Sequence, residues 1–175
     1  TDDNCGVATV LNDFNGTADA SYTYPVGTTT ITWTVTDIHG NTNTCTQDVI
    51  ISDDEDPSIT CEADINQTAD AGQCDAAVSV TAPTTGDNCG VATVLNDFNG
   101  TADASDTYPV GTTTITWTVT DIHGNTNTCT RVVIISDDED PSITCEADIN
   151  QTADAGPCTA EVRVTAPPTG DTFGV

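Results

Sequence analysis

Basic residues are almost missing from this chain: two Lys and Arg stand against 28 Asp and Glu, a formal net charge of −26. That balance excludes nucleic acid and anionic membrane surfaces as partners, because both require positive charge to meet phosphate. Methionine is absent, phenylalanine occurs three times, and aromatic residues make up 5% of the chain. A core this short of large carbon-rich side chains is marginal in a small domain and needs staples. No apolar run reaches the roughly 18 residues a spanning helix needs, and no stretch has helical periodicity of useful length. No signal peptide precedes Thr1 and the chain opens in mid-repeat, so a mature segment or a slice of something longer is expected. His39 and His123 sit alone in loops, and no serine or cysteine nucleophile is paired with them by a recognisable spacing. Without a nucleophile, base and orienter, an enzyme is not expected.

What the chain does have is repetition. A shift of 84 residues superimposes it on itself with 11 differences over 91 overlapping positions. The stretch DNCGVATVLNDFNGTADAS starts at Asp3 and again at Asp87, and SDDEDP spans Ser52–Pro57 and Ser136–Pro141. Such a period is too long for a helical solenoid unit and suits one small domain. The eight cysteines share this period, with no C-x-x-C pair and no histidine at ligand spacing along the sequence. That pattern indicates disulfides and an oxidising compartment.

The strands are legible. TTITWTVTD alternates Ile115, Trp117 and Val119 with threonines, the period-two signature of a half-buried strand rich in β-branched residues. TRVVIIS, AAVSVTAP, VATVLND and SITCEADI behave similarly, separated by Gly, Asn, Asp and Pro clusters. About seven short strands with turns every 8 to 12 residues predict an all-β fold of tandem, antiparallel, immunoglobulin-like sandwiches.

The segments DNCGV, YPVGTTTITWTVTDIHGNTNTC and DDEDPSITCEADI closely resemble the hyalin repeat, an extracellular immunoglobulin-like module, over essentially the whole chain. The resemblance implies an adhesive or structural role at a cell surface or in a matrix, and near-identical neighbouring copies resemble bacterial surface arrays. Its phase divides the chain into residues 1–52, the last part of one repeat, 53–136, a complete repeat, and 137–175, the first part of the next. One departure is Thr172-Phe173 where the earlier copy has Asn88-Cys89.

In a sandwich of this topology the first strand starts beside the B–C and F–G loops. Asp53, Asp54, Glu55 and Asp56 are therefore expected beside Asp87, Asn88, Asp121 and Asn125. Calcium takes about six to eight oxygen ligands, so it is the cofactor such a cluster would hold. Magnesium tolerates a loose all-protein cage poorly, and zinc wants His or Cys. Asp137, Asp138, Glu139 and Asp140 form the second junction, and Asp3, Asp37 and Asn41 repeat the loop positions in the earlier copy. The alternative is a solvated acidic linker without an ion. Calcium at such joints would stiffen a fibre or adhesin stalk, by analogy with cadherin-like modules. A multivalent cell-adhesion or carbohydrate-binding module is the other functional reading. Partners would be neighbouring repeats, copies of the same protein, or a surface or matrix ligand.

Three further expectations follow. The loop DFNGTAD (Asp97, Asn99, Thr101, Asp103, and earlier Asp13, Asn15, Thr17, Asp19) spaces oxygens like the front of a calcium loop, but an Asx-turn explains it as well. The expected disulfides are local: Cys61–Cys74 and Cys89–Cys129, with Cys5–Cys45 and Cys145–Cys158 as equivalents. The rival pairing is Cys74–Cys89 with Cys61–Cys129. Finally, residues 1–7 and 169–175 share one phase of the repeat. A following chain could complete 137–175 with its own 1–52, although a continuous longer array is the favoured expectation.

Overall fold

The computed structural model describes residues 3–156 and 158–170. Two compact units make up the chain. The first carries β1 (Val7–Asn12), β2 (Gly27–Asp37) and β3 (Thr42–Ile51), an antiparallel meander ordered β1-β2-β3. Its Ile31 is 2% exposed, but Ile51 is 38% and Ile50 71% exposed.

The second unit begins with β4 (Ser58–Thr60), β5 (Ile65–Thr68), β6 (Asp75–Val78) and β7 (Thr84–Gly86). It continues with β8 (Val91–Asn96), β9 (Asp106–Pro109), β10 (Gly111–Asp121) and β11 (Thr126–Ser136). The short strands β12 (Ser142–Ile143) and β13 (Thr169–Gly170) follow. One layer is the sheet β5-β11-β10-β8; the other is assembled from the β4-β7 and β6-β9 pairs. β6 and β7 are two pieces of one strand path, so the second layer has the A-B-E order of an immunoglobulin-like sandwich and the first its C-F-G order. The fold is all-β, as the alternation of polar and apolar residues predicts.

Alternation also places the core. Ile115, Trp117 and Val119 of β10 are at most 1% exposed, and Val133 and Ile135 of β11 at most 2%. Against Ile115, Trp117, Val133 and Ile135 pack Ala76, Val78, Val80 and Tyr108 from the other layer. The first segment of the domain changes layers: β4 pairs antiparallel with β7, then β5 pairs parallel with β11 in the register Val133↔Ile65. At that crossing Arg131 Nε donates to Ala63 O at 2.7 Å, and Val132 N to Asp64 Oδ1 at 2.8 Å.

The crossing corrects the disulfide assignment. Cys61 is bonded to Cys129, with Cα atoms 5.8 Å apart, so neither Cys61–Cys74 nor Cys89–Cys129 forms. The reason is register. Cys129 lies opposite Trp117, well inside β11, where residues 61–64 pass over it. Cys89 sits beyond the end of β8, past the Asp121↔Val91 pair. Cys74 lies at the opposite end of the sandwich, its carbonyl accepting from Val110 N just before β10. That separation also argues against the rival Cys74–Cys89 bond within one domain. Cys5, Cys45, Cys145 and Cys158 are exposed thiols, so the Cys5–Cys45 and Cys145–Cys158 pairs do not form either. Thr172-Phe173 lies outside the described residues.

Candidate metal-binding site

Two loops at one end of the second unit build the site. β10 ends at Asp121, whose side chain folds back over the turn that follows. Its Oδ1 accepts from the backbone N–H of His123, Gly124 and Asn125 at 2.8, 2.6 and 2.8 Å, and its Oδ2 from Asn125 Nδ2 at 2.7 Å. Gly124 has φ +98°, a conformation that L side chains rarely adopt, which allows the tight turn. Asp121 is only 2% exposed. Burial pushes its carboxyl pKa up, but the bonds from Asn125, His123 and Gly124 outweigh it and hold the group below the ordinary carboxylate value. A buried carboxylate is thus held in place by backbone and amide donors of its own turn.

The other loop leads into β8. Asp87 Oδ2 accepts from Cys89 N at 2.8 Å and Gly90 N at 2.7 Å, which closes an Asx-type turn. Its Oδ1 is buried and has no hydrogen-bond partner. Leaving a buried acceptor unsatisfied costs about 1–3 kcal/mol, and more when it is charged.

Carboxylate oxygens of Asp87 and Asp121, both in the second unit, lie within 4.8 Å of each other. Asp53 stands on the segment running into β4, and its Oδ1 also accepts from Glu55 N at 3.2 Å. Asp54, Glu55 and Asp56 are exposed and do not join this group. Asn88 and Asn125 flank it on the two loops, Asn125 through its bond to Asp121. Cys89 and His123, on the same two loops, also have ligand atoms within 4.8 Å of each other. Sequence spacing gives no sign of that pair, because residues 89 and 123 are joined only through the fold.

In the first unit, Asp3 Oδ2 accepts from Cys5 N and Gly6 N at 2.9 and 3.1 Å, the same turn as at Asp87. Asp37 accepts from His39 N, Asn41 N and Asn41 Nδ2, as Asp121 does from its own loop. Asp3, Asp37 and Asn41 line one cleft of about 210 Å³. The second acidic stretch is placed differently from the first. Glu139 Oε2 accepts from Gly72 N at 3.0 Å, and Asp138 and Glu139 share a cleft with Thr68–Ala71. Asp137 Oδ1 caps Glu139 N, and Asp140 is exposed.

The DFNGTAD loop uses its oxygens on itself. Asn96, 4% exposed, donates from Nδ2 to Asn99 Oδ1 and Thr101 O and accepts from Phe98 N and Asn99 N. Thr101 Oγ1 donates to Asp103 O, Asp97 Oδ1 accepts from Thr116 N, and Asp103 Oδ1 from Ser105 N. These bonds make it an Asx-turn connection, and the same pattern holds at Asn12–Asp19. Asn96, the residue that organises the loop, stands just before the stretch singled out in the sequence.

Residues 52–135 match the family model of the HYR domain. Hyalin of Strongylocentrotus purpuratus is 34% identical over 164 residues, covering 90% of this chain and 13% of that protein. Hyalin of Lytechinus variegatus is 31% identical over 174 residues, covering 97% of this chain and 32% of that protein. The chain therefore spans less than a third of either relative. Both are sea-urchin proteins and lend no support to the bacterial expectation. A solved structure of protocadherin gamma B7 extracellular cadherin domains 1-4 is similar at TM-score 0.36 and 15% identity, over 73% of this chain and 37% of that one. Likeness at that level supports no functional inference. No helix among the described residues is long and apolar enough to cross a membrane.

Proposed function

We propose, from the premise that residues 52–135 form an HYR domain, that this chain is a structural segment of an extracellular fibre or adhesin stalk, stiffened by calcium. The metal would bind at the Asp87 and Asp121 loops of the second unit. The observation that carries this reading is the buried Oδ1 of Asp87, without a hydrogen-bond partner beside the Asp121 carboxylate. Two unit charges 4.8 Å apart repel by about 3.5 kcal/mol at an effective dielectric of 20. A divalent ion would cancel that repulsion and satisfy the orphaned oxygen together. Carboxylates and amide oxygens suit calcium, which takes 6–8 oxygen ligands at roughly 2.3–2.6 Å. Asp87 and Asp121 would supply carboxylate ligands, with Asn88 and Asn125 beside them.

Function then follows from position. Asp87 and Asp121 stand on two loops at one end of the second unit, so an ion held there would lock those loops together. The cysteine framework and the match to hyalins support an extracellular setting. Small-angle scattering of the chain in millimolar calcium and in chelator tests the stiffening. The expected result is a longer, narrower distance distribution with calcium, and identical curves would overturn it.

A further inference from the structure

Two stretches of the second unit, Asn66-Gln67-Thr68 and Asn99-Gly100-Thr101, fit the N-x-[ST] acceptor sequence for N-linked glycans. The fold treats them differently. At Asn99, Nδ2 donates to Asp103 O at 2.9 Å, and Oδ1 accepts from Asn96 Nδ2, Thr101 N and Thr101 Oγ1. A sugar on that amide would crowd the network that closes the loop after β8. Asn66 lies instead in β5, the end strand of the β5-β11-β10-β8 sheet. Alternation sets its direction. Ile65 packs against the core and Gln67 Nε2 donates to Ala77 O of the opposite layer at 3.5 Å, so Asn66 and Thr68 stand on the outer face. Both are exposed. Asn66 pairs in register with Ile134, which is itself 37% exposed. The four residues of β5, INQT, carry neither charge nor proline, two of the devices that blunt a sheet edge against a further strand.

We propose that Asn66 is an N-glycosylation site, and that its glycan screens Ile134 and the open edge of β5 against side-to-side pairing. The inference rests on the extracellular setting proposed above, because the sugar donor is met on a secretory route, and it needs no calcium. That donor is an oligosaccharide linked to a lipid diphosphate. The bond from sugar C1 to the diphosphate oxygen breaks, and Asn66 Nδ2 forms the new bond to C1. The lipid diphosphate leaves with the electron pair, and the amide gives up one proton. Thr68 supplies the hydroxyl that the acceptor sequence requires, two residues on and on the same face. What the fold decides is whether the glycan can be carried. At Asn66 it extends into solvent and leaves the β5–β11 ladder intact. A bulky, hydrophilic group there blocks an incoming strand without adding to a net charge already at −26.

The test secretes the full chain from animal cells behind a cleavable leader. Enzymatic release of the glycans in heavy-oxygen water marks each formerly glycosylated asparagine as labelled aspartate. The label is expected at Asn66, whose peptide differs from that of its copy Asn150 at Gln73. Thr68→Ala should lose the glycan with Asn66 still in place, and Thr68→Ser should keep it. By sedimentation, the Thr68→Ala chain should self-associate about tenfold more tightly than the glycosylated chain. Adding Ile134→Asp, at an exposed position of the outer face, should reverse that gain. An unlabelled Asn66 in the secreted chain would overturn the site, and equal association of the Thr68→Ala and glycosylated chains would overturn the screening. A labelled Asn66 in a chain whose scattering ignores calcium would sink the metal reading and leave this one standing.

Discussion

Replacing both Cys61 and Cys129 by serine removes the bond that ties the two layers of the second unit together. The bond closes a loop with a sequence separation of 68 residues. Chain-entropy reasoning puts the stabilisation from closing a loop of that length at about 4 kcal/mol. The thin core makes this a large share. Domains of this size are stable by about 0.05–0.15 kcal/mol per residue, or roughly 4–13 kcal/mol over one repeat. With a urea m-value of about 1–1.5 kcal/mol/M, the midpoint should fall by about 3 M. Trp117 is the natural reporter, being 1% exposed and directly opposite Cys129 in the register. A Trp33→Phe background isolates its fluorescence. Urea titrations of that background and of the double-serine variant, with the bond confirmed in the former by peptide mapping, give the difference. A midpoint loss under about 0.5 M, well below what the chain-entropy estimate requires, would refute the idea that this bond compensates for the core.

Other consequences are smaller and separate. Asn96→Ala removes four loop hydrogen bonds at a site 4% exposed and should cost about 2–4 kcal/mol by denaturant titration. The buried Tyr108 hydroxyl donates to Ala104 O, so Tyr108→Phe should cost about 1–2 kcal/mol and spare the fold. Asp103 is held below the ordinary carboxylate pKa by Ser105, chiefly through its side chain and then its backbone N–H. A depressed folded-state pKa stabilises above the unfolded value and is lost as pH falls through the folded one. Asp103→Asn should therefore lower the urea midpoint at neutral pH, with the gap closing under strong acid. A gap unchanged by pH would refute that assignment.

The sequence-level reading succeeded where information is local. TTITWTVTD alternates without interruption, and β10 spans Gly111–Asp121 with the expected face buried. It failed where strands meet across layers. Nothing in SITCEADI reveals that the chain changes sheets between β4 and β5, so Cys61 was placed beside Cys74 rather than over β11. The Asp121–Asn125 turn was legible from D-x-x-G-N, because glycine is needed at φ +98°. The orphaned Oδ1 of Asp87 and the nearness of Cys89 to His123 arise only through folding. Conversely, the oxygens of DFNGTAD looked available in sequence, yet hydrogen bonds within the loop and to Thr116 consume them.

Calorimetric titration of the full chain with calcium, beside its Asp87→Asn variant, tests the metal site most directly. The account predicts saturable calcium binding that weakens sharply in the variant, little response to magnesium, and no tighter zinc binding through Cys89 and His123. Absence of calcium heat at millimolar concentration, or calcium binding untouched by Asp87→Asn, would contradict it.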